Sequence, residues 1–410
     1  MGKAERAQLQ FSGLKVFLAR SRRTKSCNRC GLCPLPILLA ETMHPNFRFA
    51  IASDLHIALP QTVNTRVNRF HLCEISIPIL ETVLAQLAAL DLDFLLLPGD
   101  LTQDGERINH RWLADRLAQL PYPVFVVPGN HDVIQSVASD VAIGLHDFQT
   151  YYGPFGYDNP NQLYYTCELL PGVQLIGLNS NQFDQAGKQQ GYLDAQQLCW
   201  LDDVLAESRD RLVLVMVHHN AIEHLPGQTT HCLGKRYMLD NAPELLSRLQ
   251  AAGVQLIFTG HLHVQDVACH QGIYEITTGS LVSYPHPYRL LHYRSDSQGR
   301  AWLQIESSRV ESVPGWPDLS SRSRQWLCDR SLPFMFKLLN EAPLNLPPPE
   351  ATTLAPQLRE FWADIAQGDT LFNFDQFPGQ VRRYLESFSA CDRDNHPTLI
   401  DNHVSLLLQE

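Results

Sequence analysis

The stretch "VQLIFTGHLHV" at 254–264 places two histidines directly after an apolar run that ends in a glycine. The β-branched, aliphatic and aromatic residues of this run predict a buried strand. His261 and His263 are two residues apart, and side chains at that spacing on an extended backbone point to the same face. The stretch therefore predicts a strand end that presents two imidazoles to something held there.

Four other apolar runs along the chain end in the same way. They are short and rich in Val, Ile, Leu and Phe, and segments of helical period separate them, which is typical of a layered α/β fold. Each run is followed by Asp, Asn or His side chains. The runs are "FRFAIAS" at 47–53 before Asp54 and His56, "DFLLLPG" at 93–99 before Asp100, "PVFVVPG" at 123–129 before Asn130 and His131, and "RLVLVMV" at 211–217 before His218 and His219.

The position and chemistry of these side chains predict a metal centre. Open α/β sheets place their sites at the carboxyl ends of the strands, so the residues are expected to converge. A mixture of Asp, Asn and His suits manganese, iron, zinc or cobalt. The set exceeds the roughly four ligands of one tetrahedral site. Two ions that share a carboxylate fit better, and such a pair can clamp the attacking and leaving oxygens of phosphoryl displacement.

Five motifs together resemble those of the calcineurin-like metallophosphoesterases, in the same order and with similar spacing over residues 47–310. They are "DLH" at 54–56, "GD" at 99–100, "GNHD" at 129–132, "HH" at 218–219 and "GHLH" at 260–263. The resemblance implies a four-layer α/β/β/α sandwich. It also implies a dinuclear metal-dependent phosphoester hydrolase in which hydroxide attacks phosphorus in line.

The resemblance further implies a role for each residue of these motifs. One ion would be held by Asp54, His56 and His263, the other by Asn130, His218 and His261, with Asp100 bridging both. His131 would protonate the leaving oxygen or stabilise the charged phosphorane, as a positioned acid does. Asp132 would orient the His131 imidazole.

The finer pattern resembles the branch that contains bacterial cyclic-nucleotide phosphodiesterases. It consists of "GDLTQDGER" at 99–107, "VPGNHDV" at 127–133 and "VHHN" at 217–220, where Asn220 replaces a proline common in that branch. Small phosphodiesters, cyclic nucleotides included, are therefore the first substrate class, and phosphomonoesters are the second. A non-catalytic metal-binding scaffold is the rival from another class, and the complete ligand set argues against it.

Charge and composition restrict the partners. Residues 1–42 carry a surplus of six positive charges and the whole chain carries −11, so residues 43–410 carry −17. This acidic body makes a nuclease or other nucleic-acid partner an unfavoured alternative. No apolar stretch reaches the roughly 20 residues of a membrane span, and "LPILLA" at 35–40 is short for a signal peptide, so we expect a cytoplasmic protein.

Three segments are expected along the chain. Residues 1–42 are basic and aperiodic, which favours a disordered leader or an upstream start site over a metal site at the cysteines spaced C-x-x-C-x-x-C (Cys27, Cys30 and Cys33). Residues 43–312 hold the catalytic domain. Residues 313–410 form a mainly helical extension with a stiff proline-rich connector at 342–351. Its aromatic residues are expected to pack a small subdomain, with a cap over the site or a self-association surface as alternatives.

Several other histidines are left out of the predicted site. His219 is expected to pack behind the site, because neighbouring side chains on a strand point to opposite faces. His224 and His231 lie in a polar loop, where solvated histidines are the common case. A helix surface explains His110 as well as contact with a substrate does.

Overall fold

The computed structural model describes residues 45–63 and 69–409. The predicted leader at 1–42, with its three cysteines, lies outside these residues. Among the described residues, every helix is too short or too polar to span a bilayer.

Two six-stranded sheets form the centre of the fold. The first sheet has the strand order β14-β13-β12-β1-β2-β3, and the second has the order β10-β11-β9-β8-β5-β4. The strands of the described residues are β1 (Asn46–Ile51), β2 (Phe94–Leu97), β3 (Val124–Val126), β4 (Tyr165–Leu170), β5 (Val173–Gly177), β6 (Asn181–Phe183), β7 (Gln189–Gly191), β8 (Leu212–Met216), β9 (Leu256–Thr259), β10 (Asp266–His270), β11 (Ile273–Thr277), β12 (Pro287–Ser295), β13 (Ala301–Arg309) and β14 (His403–Gln409).

The five apolar runs of the sequence are all strands, but they are divided between the two sheets. β1, β2 and β3 run parallel in the first sheet, and β8 and β9 run parallel in the second. The inner faces of the two sheets pack on each other through large apolar side chains. The rings of Phe49 in β1 and Phe258 in β9, for example, lie 5.6 Å apart. This packing fixes one sheet against the other and brings five strand ends to one region.

Helices cover the outer faces of both sheets. The helices of the described residues are α1 (Ser76–Leu87), α2 (Arg107–Leu117), α3 (Phe148–Tyr151), α4 (Ala195–Glu207), α5 (Ala242–Ala251), α6 (Leu319–Asn340), α7 (Pro348–Leu354), α8 (Phe361–Ala366) and α9 (Gly379–Glu386). α1 and α2 pack on the first sheet, and α4 and α5 on the second. The predicted four-layer α/β/β/α sandwich is therefore confirmed.

The C-terminal part of the chain has its own apolar core. Side chains of α6, α7, α8 and α9 form a cluster that also contains Leu262 and Val264, which flank His263. Only the last four residues of the predicted connector are helical, since α7 begins at Pro348. Proline is favoured at the first position of a helix, where its missing N–H would have no partner within the helix. After α9 the chain returns to the first sheet, where β14 pairs antiparallel with β13. The described residues form one compact unit, and the boundary at 312/313 stays a prediction.

Candidate metal centre

The seven predicted metal ligands lie together where the strands of the two sheets end. Their ligand atoms form two adjacent groups. One group contains Asp54, His56, Asp100 and His263, and the other contains Asp100, His218 and His261; within each group these atoms lie within 4.8 Å of one another. Asp100 belongs to both groups, as a bridging carboxylate would.

Short distances define the first group. His263 Nε2 lies 3.0 Å from Asp54 Oδ1. His56 Nε2 lies 3.4 Å from His263 Nε2 and 3.8 Å from Asp100 Oδ2. Two carboxylates and two imidazoles therefore face one small volume, and the two imidazole nitrogens face each other. Such an arrangement is what a cation between the donors requires.

The second group is completed by an amide oxygen. His218 Nε2 lies 3.4 Å from Asp100 Oδ2 and 3.2 Å from Asn130 Oδ1. The remaining ring nitrogens of the group are engaged by backbone carbonyls. His218 Nδ1 donates to Pro98 O at 2.8 Å, and His261 Nε2 donates to Arg236 O at 3.1 Å. A backbone carbonyl that accepts from one ring nitrogen fixes the tautomer, so the opposite nitrogen of each ring is free to bind a metal.

The backbone at the site is unusual in a way that the sequence reading missed. Asp54, His56, Asp100, His261 and His263 all have positive φ, between 42° and 68°. Such conformations cost about 1–3 kcal/mol each and cluster at functional sites. His261 and His263 are therefore not on extended backbone as predicted. They follow β9 in a turn that directs them to different groups of ligands.

Two glycines permit the close approach of the loops. A Cβ atom on Gly129 would lie 2.2 Å from Asp100 Oδ1, and one on Gly260 would lie 2.4 Å from Asp54 Oδ2. Any side chain at either position would displace a candidate ligand. The glycines of "GNHD" and "GHLH" are therefore required by the space around the carboxylates.

Electrostatics at the site also suit cations. Burial, followed by neighbouring imidazoles, holds the pKa of His56 and of His261 well below the usual value, so both rings are neutral and able to bind a metal. At His218 burial acts in the same direction, but the Asp100 carboxylate outweighs it and raises the pKa to about 9. That proton stands where a metal ion would supply positive charge, so the residues present fit a metal centre.

His131 lies beside the ligands, as predicted, but a different group orients it. Its Nδ1 hydrogen-bonds the carbonyl oxygen of Gln103 at 2.7 Å. Asp132 was predicted to orient this imidazole, and the structure corrects that. The Asp132 carboxylate instead accepts from the backbone N–H groups of Leu101, Thr102 and Gly129 at 2.8–3.0 Å. Asp132 therefore fastens the loop of Asp100 to the loop of Asn130.

His71 is a site residue that the sequence reading missed. Its ring stacks on His56 with 4.2 Å between centroids, and it lies 5.5 Å from His131 and 5.4 Å from His263. Its Nδ1 is buried and has no hydrogen-bond partner among the residues that the structure describes. His71 follows no strand of the pattern, so only its position in space identifies it.

Other histidines have structural surroundings. His219 lies behind the site, as predicted, with Nδ1 2.7 Å from Ser180 Oγ. The interpretation of His224 as a solvated loop residue was wrong. Its buried ring lies 2.5 Å from Asp266 and 3.1 Å from Glu275, and these carboxylates outweigh burial and raise its pKa to about 9. His110 is also buried, within hydrogen-bond distance of Thr102 and Tyr152.

Asn220 belongs to the same buried network as His224. Its side-chain N–H groups donate to Thr259 Oγ1 and Glu275 Oε1, each at 3.0 Å, and its Oδ1 accepts from Gln228. The network links the loop after His218 to the strand before His261. A proline at position 220 could not make these bonds, so Asn220 gives this turn a different support.

Comparison with known proteins agrees with this geometry. A family model described as calcineurin-like phosphoesterase matches residues 47–265, more than half of the chain. A probable glycerophosphodiester phosphodiesterase of Arcobacter nitrofigilis is 27% identical over 222 residues, which cover 53% of this chain and 72% of that protein. A 3',5'-cyclic adenosine monophosphate phosphodiesterase of Vibrio vulnificus is 28% identical over 204 residues, 49% of this chain and 65% of that protein.

A solved structure supports the fold. The crystal structure of a dimetal phosphatase from Danio rerio matches with a TM-score of 0.50 and 17% identity, covering 65% of this chain and 96% of the other. The fold and the clustered ligands define a metal-dependent phosphoric ester hydrolase. Because the family model covers most of the sandwich, the chain belongs to the calcineurin-like phosphoesterase family.

Proposed function

We propose that the protein is a phosphodiesterase that hydrolyses small phosphodiesters at a dinuclear metal centre. The observation that carries the proposal is the position of Asp100, whose carboxylate belongs to both groups of ligand atoms. The diesterase activities named for the Arcobacter and Vibrio relatives also favour diesters, cyclic nucleotides included.

We assign each candidate ligand to one of two ions. Asp54, His56 and His263 would hold one ion, Asn130, His218 and His261 the other, and Asp100 both. Manganese, iron, zinc or cobalt would suit this mixture of oxygen and nitrogen donors. When bound, such ions provide a nucleophile at neutral pH and neutralise the negative charge that develops on phosphorus.

His131 would transfer the proton to the leaving oxygen. Since Gln103 O engages Nδ1, Nε2 is the nitrogen left for this step. The backbone N–H of His131 donates to Asp100 Oδ1 at 2.8 Å, so the acid and the shared carboxylate keep a fixed relation. His71 would contribute a hydrogen bond to a phosphate oxygen, because it lies against both His56 and His131.

The test is turnover by the purified full chain loaded with Mn²⁺. Bis(p-nitrophenyl) phosphate, p-nitrophenyl phosphate and cyclic AMP are compared at equal concentration, with metal content measured on the same sample. We expect the diester to be hydrolysed with a higher kcat/KM than the monoester. A higher kcat/KM on the monoester would favour a phosphomonoesterase, and two bound ions without turnover of any substrate would favour a scaffold.

A further inference from the structure

A cavity of about 330 Å³ opens on the candidate metal centre. Asp100, Asn130 and His131 line one end of it. The other end of its lining includes large apolar side chains of the C-terminal helices. These are Phe334, Met335 and Leu338 of α6 and Phe361, Trp362 and Ile365 of α8. We call this set the apolar wall.

The apolar wall is a packed structure and not a loose surface. Met335 is 2% exposed and Phe361 is 3% exposed. The ring of Phe334 meets that of Phe70 edge to face at 4.9 Å, and Phe70 directly precedes His71. The wall is thereby joined to the segment that carries a site histidine, so its distance from the candidate ligands is fixed.

Two polar side chains near the wall are already satisfied within the protein. Ser331 Oγ lies 2.9 Å from the carbonyl oxygen of Cys328 and 2.8 Å from that of Arg359, so its single O–H is engaged within the protein. The amide of Gln228 donates to Asn220 and accepts from the backbone N–H of His224. Arg236, Tyr237 and Tyr384 are further polar side chains in the lining of the cavity. A nucleoside placed against Phe334, Met335 and Leu338 would nevertheless leave its own donors and acceptors without partners at these apolar side chains, which is costly. An apolar group has no hydrogen-bond donors or acceptors and would incur no such cost in free energy.

We propose that the substrate is a phosphodiester with one apolar ester group, an alkyl chain or an aryl ring, that lies on the apolar wall. This inference rests on the proposed phosphodiesterase function and names its substrate class. The phosphorus would lie at the candidate ligands while the apolar group extends toward α6 and α8. The wall lies outside residues 47–265, the segment matched by the family model, so this preference belongs to the extension of this chain.

The test uses a series of diesters that share one leaving group. The Mn²⁺-loaded full chain is assayed with the methyl, butyl and octyl esters of p-nitrophenyl phosphate and with p-nitrophenyl phenyl phosphate. We expect kcat/KM to rise by roughly fourfold for each added methylene until the cavity is filled, as burial of a CH₂ group predicts. The octyl and phenyl esters distinguish a chain from a ring as the preferred group.

Wall variants test whether α6 and α8 cause the preference. Met335→Gln is nearly isosteric and should lower the octyl-to-methyl ratio of kcat/KM by about tenfold, because it places an amide in the wall. Trp362→Gln changes a half-buried residue and provides a second test should Met335→Gln not fold. The control is Leu332→Gln, at a position on α6 that is 48% exposed, and this variant should leave the ratio unchanged.

The outcomes separate this inference from the proposed function. Equal kcat/KM for the methyl, octyl and phenyl esters, or a higher value for cyclic AMP than for all of them, would overturn the apolar substrate class alone. A ratio that stays unchanged in both wall variants would also overturn it. Absence of turnover on every ester with two ions bound would overturn the proposed function, and this inference with it.

Discussion

The two ends of the cavity are built in different ways. At the metal end, polar side chains are held by short hydrogen bonds and by left-handed backbone, so each position depends on the donor or acceptor of one particular side chain. At the other end, the apolar wall needs only volume and hydrophobicity, which many residues supply. The comparison teaches that the candidate metal centre depends on individual side chains, whereas the apolar wall depends on the combined volume and hydrophobicity of a group of side chains.

The strongest way to break the metal end is Asp100→Asn. Loss of the shared carboxylate should reduce kcat on bis(p-nitrophenyl) phosphate by at least about 10³-fold, because several kcal/mol of charge stabilisation depend on both ions. Metal analysis should show fewer than two ions per chain. Asp91→Asn, at an exposed position before β2, is the matched control. Full metal content and activity in Asp100→Asn would remove the basis of the assignment.

His131→Ala should remove proton transfer to the leaving oxygen while leaving the candidate metal ligands in place. On a diester whose leaving group needs a proton, such as cyclic AMP, we expect kcat to fall by roughly 10²- to 10³-fold, as for a missing general acid. Both ions should still be bound. The loss should shrink for a diester whose leaving group needs no proton, since p-nitrophenolate leaves readily as an anion. If metal analysis of this variant instead showed an empty site, His131 would be a ligand and the proton-transfer role would be wrong.

His224 tests the buried network that supports the loop between the two ends. Its pKa is raised to about 9, so its ion pairs stabilise the folded state fully below about pH 6.5 and lose this effect as the pH rises to about 9. The shift corresponds to about 3 kcal/mol. Urea unfolding should therefore show a wild-type advantage over His224→Gln that is largest near pH 6 and small above pH 9. Leu332→Gln, at a residue that is 48% exposed and carries no titratable group, should leave the pH profile of wild-type unfolding unchanged.

The smallest expected effect is that of His71, which stacks on the candidate ligand His56 and directly follows Phe70, a contact of the apolar wall. His71→Ala should lower kcat/KM on bis(p-nitrophenyl) phosphate by about tenfold, the value of one hydrogen bond to a charged group. His71→Gln keeps an N–H donor and should recover part of the loss. A structural role through His56 would instead lower metal content in both variants, so metal analysis separates the two explanations.

The sequence predicted the fold and the metal end for a clear physical reason. Buried parallel strands are continuous apolar runs, and the ligands follow them directly, so Asp100 and Asn130 could be located by pattern alone. Sequence reasoning was less successful for side chains that depend on folding in three dimensions. His71 comes from a segment without a pattern, and His224 is buried only because the strand of Glu275 packs against its loop.

From the sequence, the apolar wall could be predicted only as one of several alternatives. Phe361 and Trp362 suggested a packed helical subdomain, and a cap over the site was one alternative. Apolar residues at helical spacing have the same pattern whether they fill a core or line a cavity. Phe334 and Met335 differ from core residues only in that a space lies between them and the metal centre.

The pairing of β14 with β13 affects how the length of the C-terminal helical segment can vary. The C-terminal helices begin after β13 and end at β14, and these two strands are hydrogen-bonded neighbours in one sheet. The helical segment is thus a long connection between two hydrogen-bonded strands, and lengthening such a connection costs little conformational entropy. The depth of the cavity can therefore be altered by insertion or deletion in the helices while the candidate ligands keep their positions. Because the helical segment is anchored at both ends, it requires little ordering when a ligand enters the cavity.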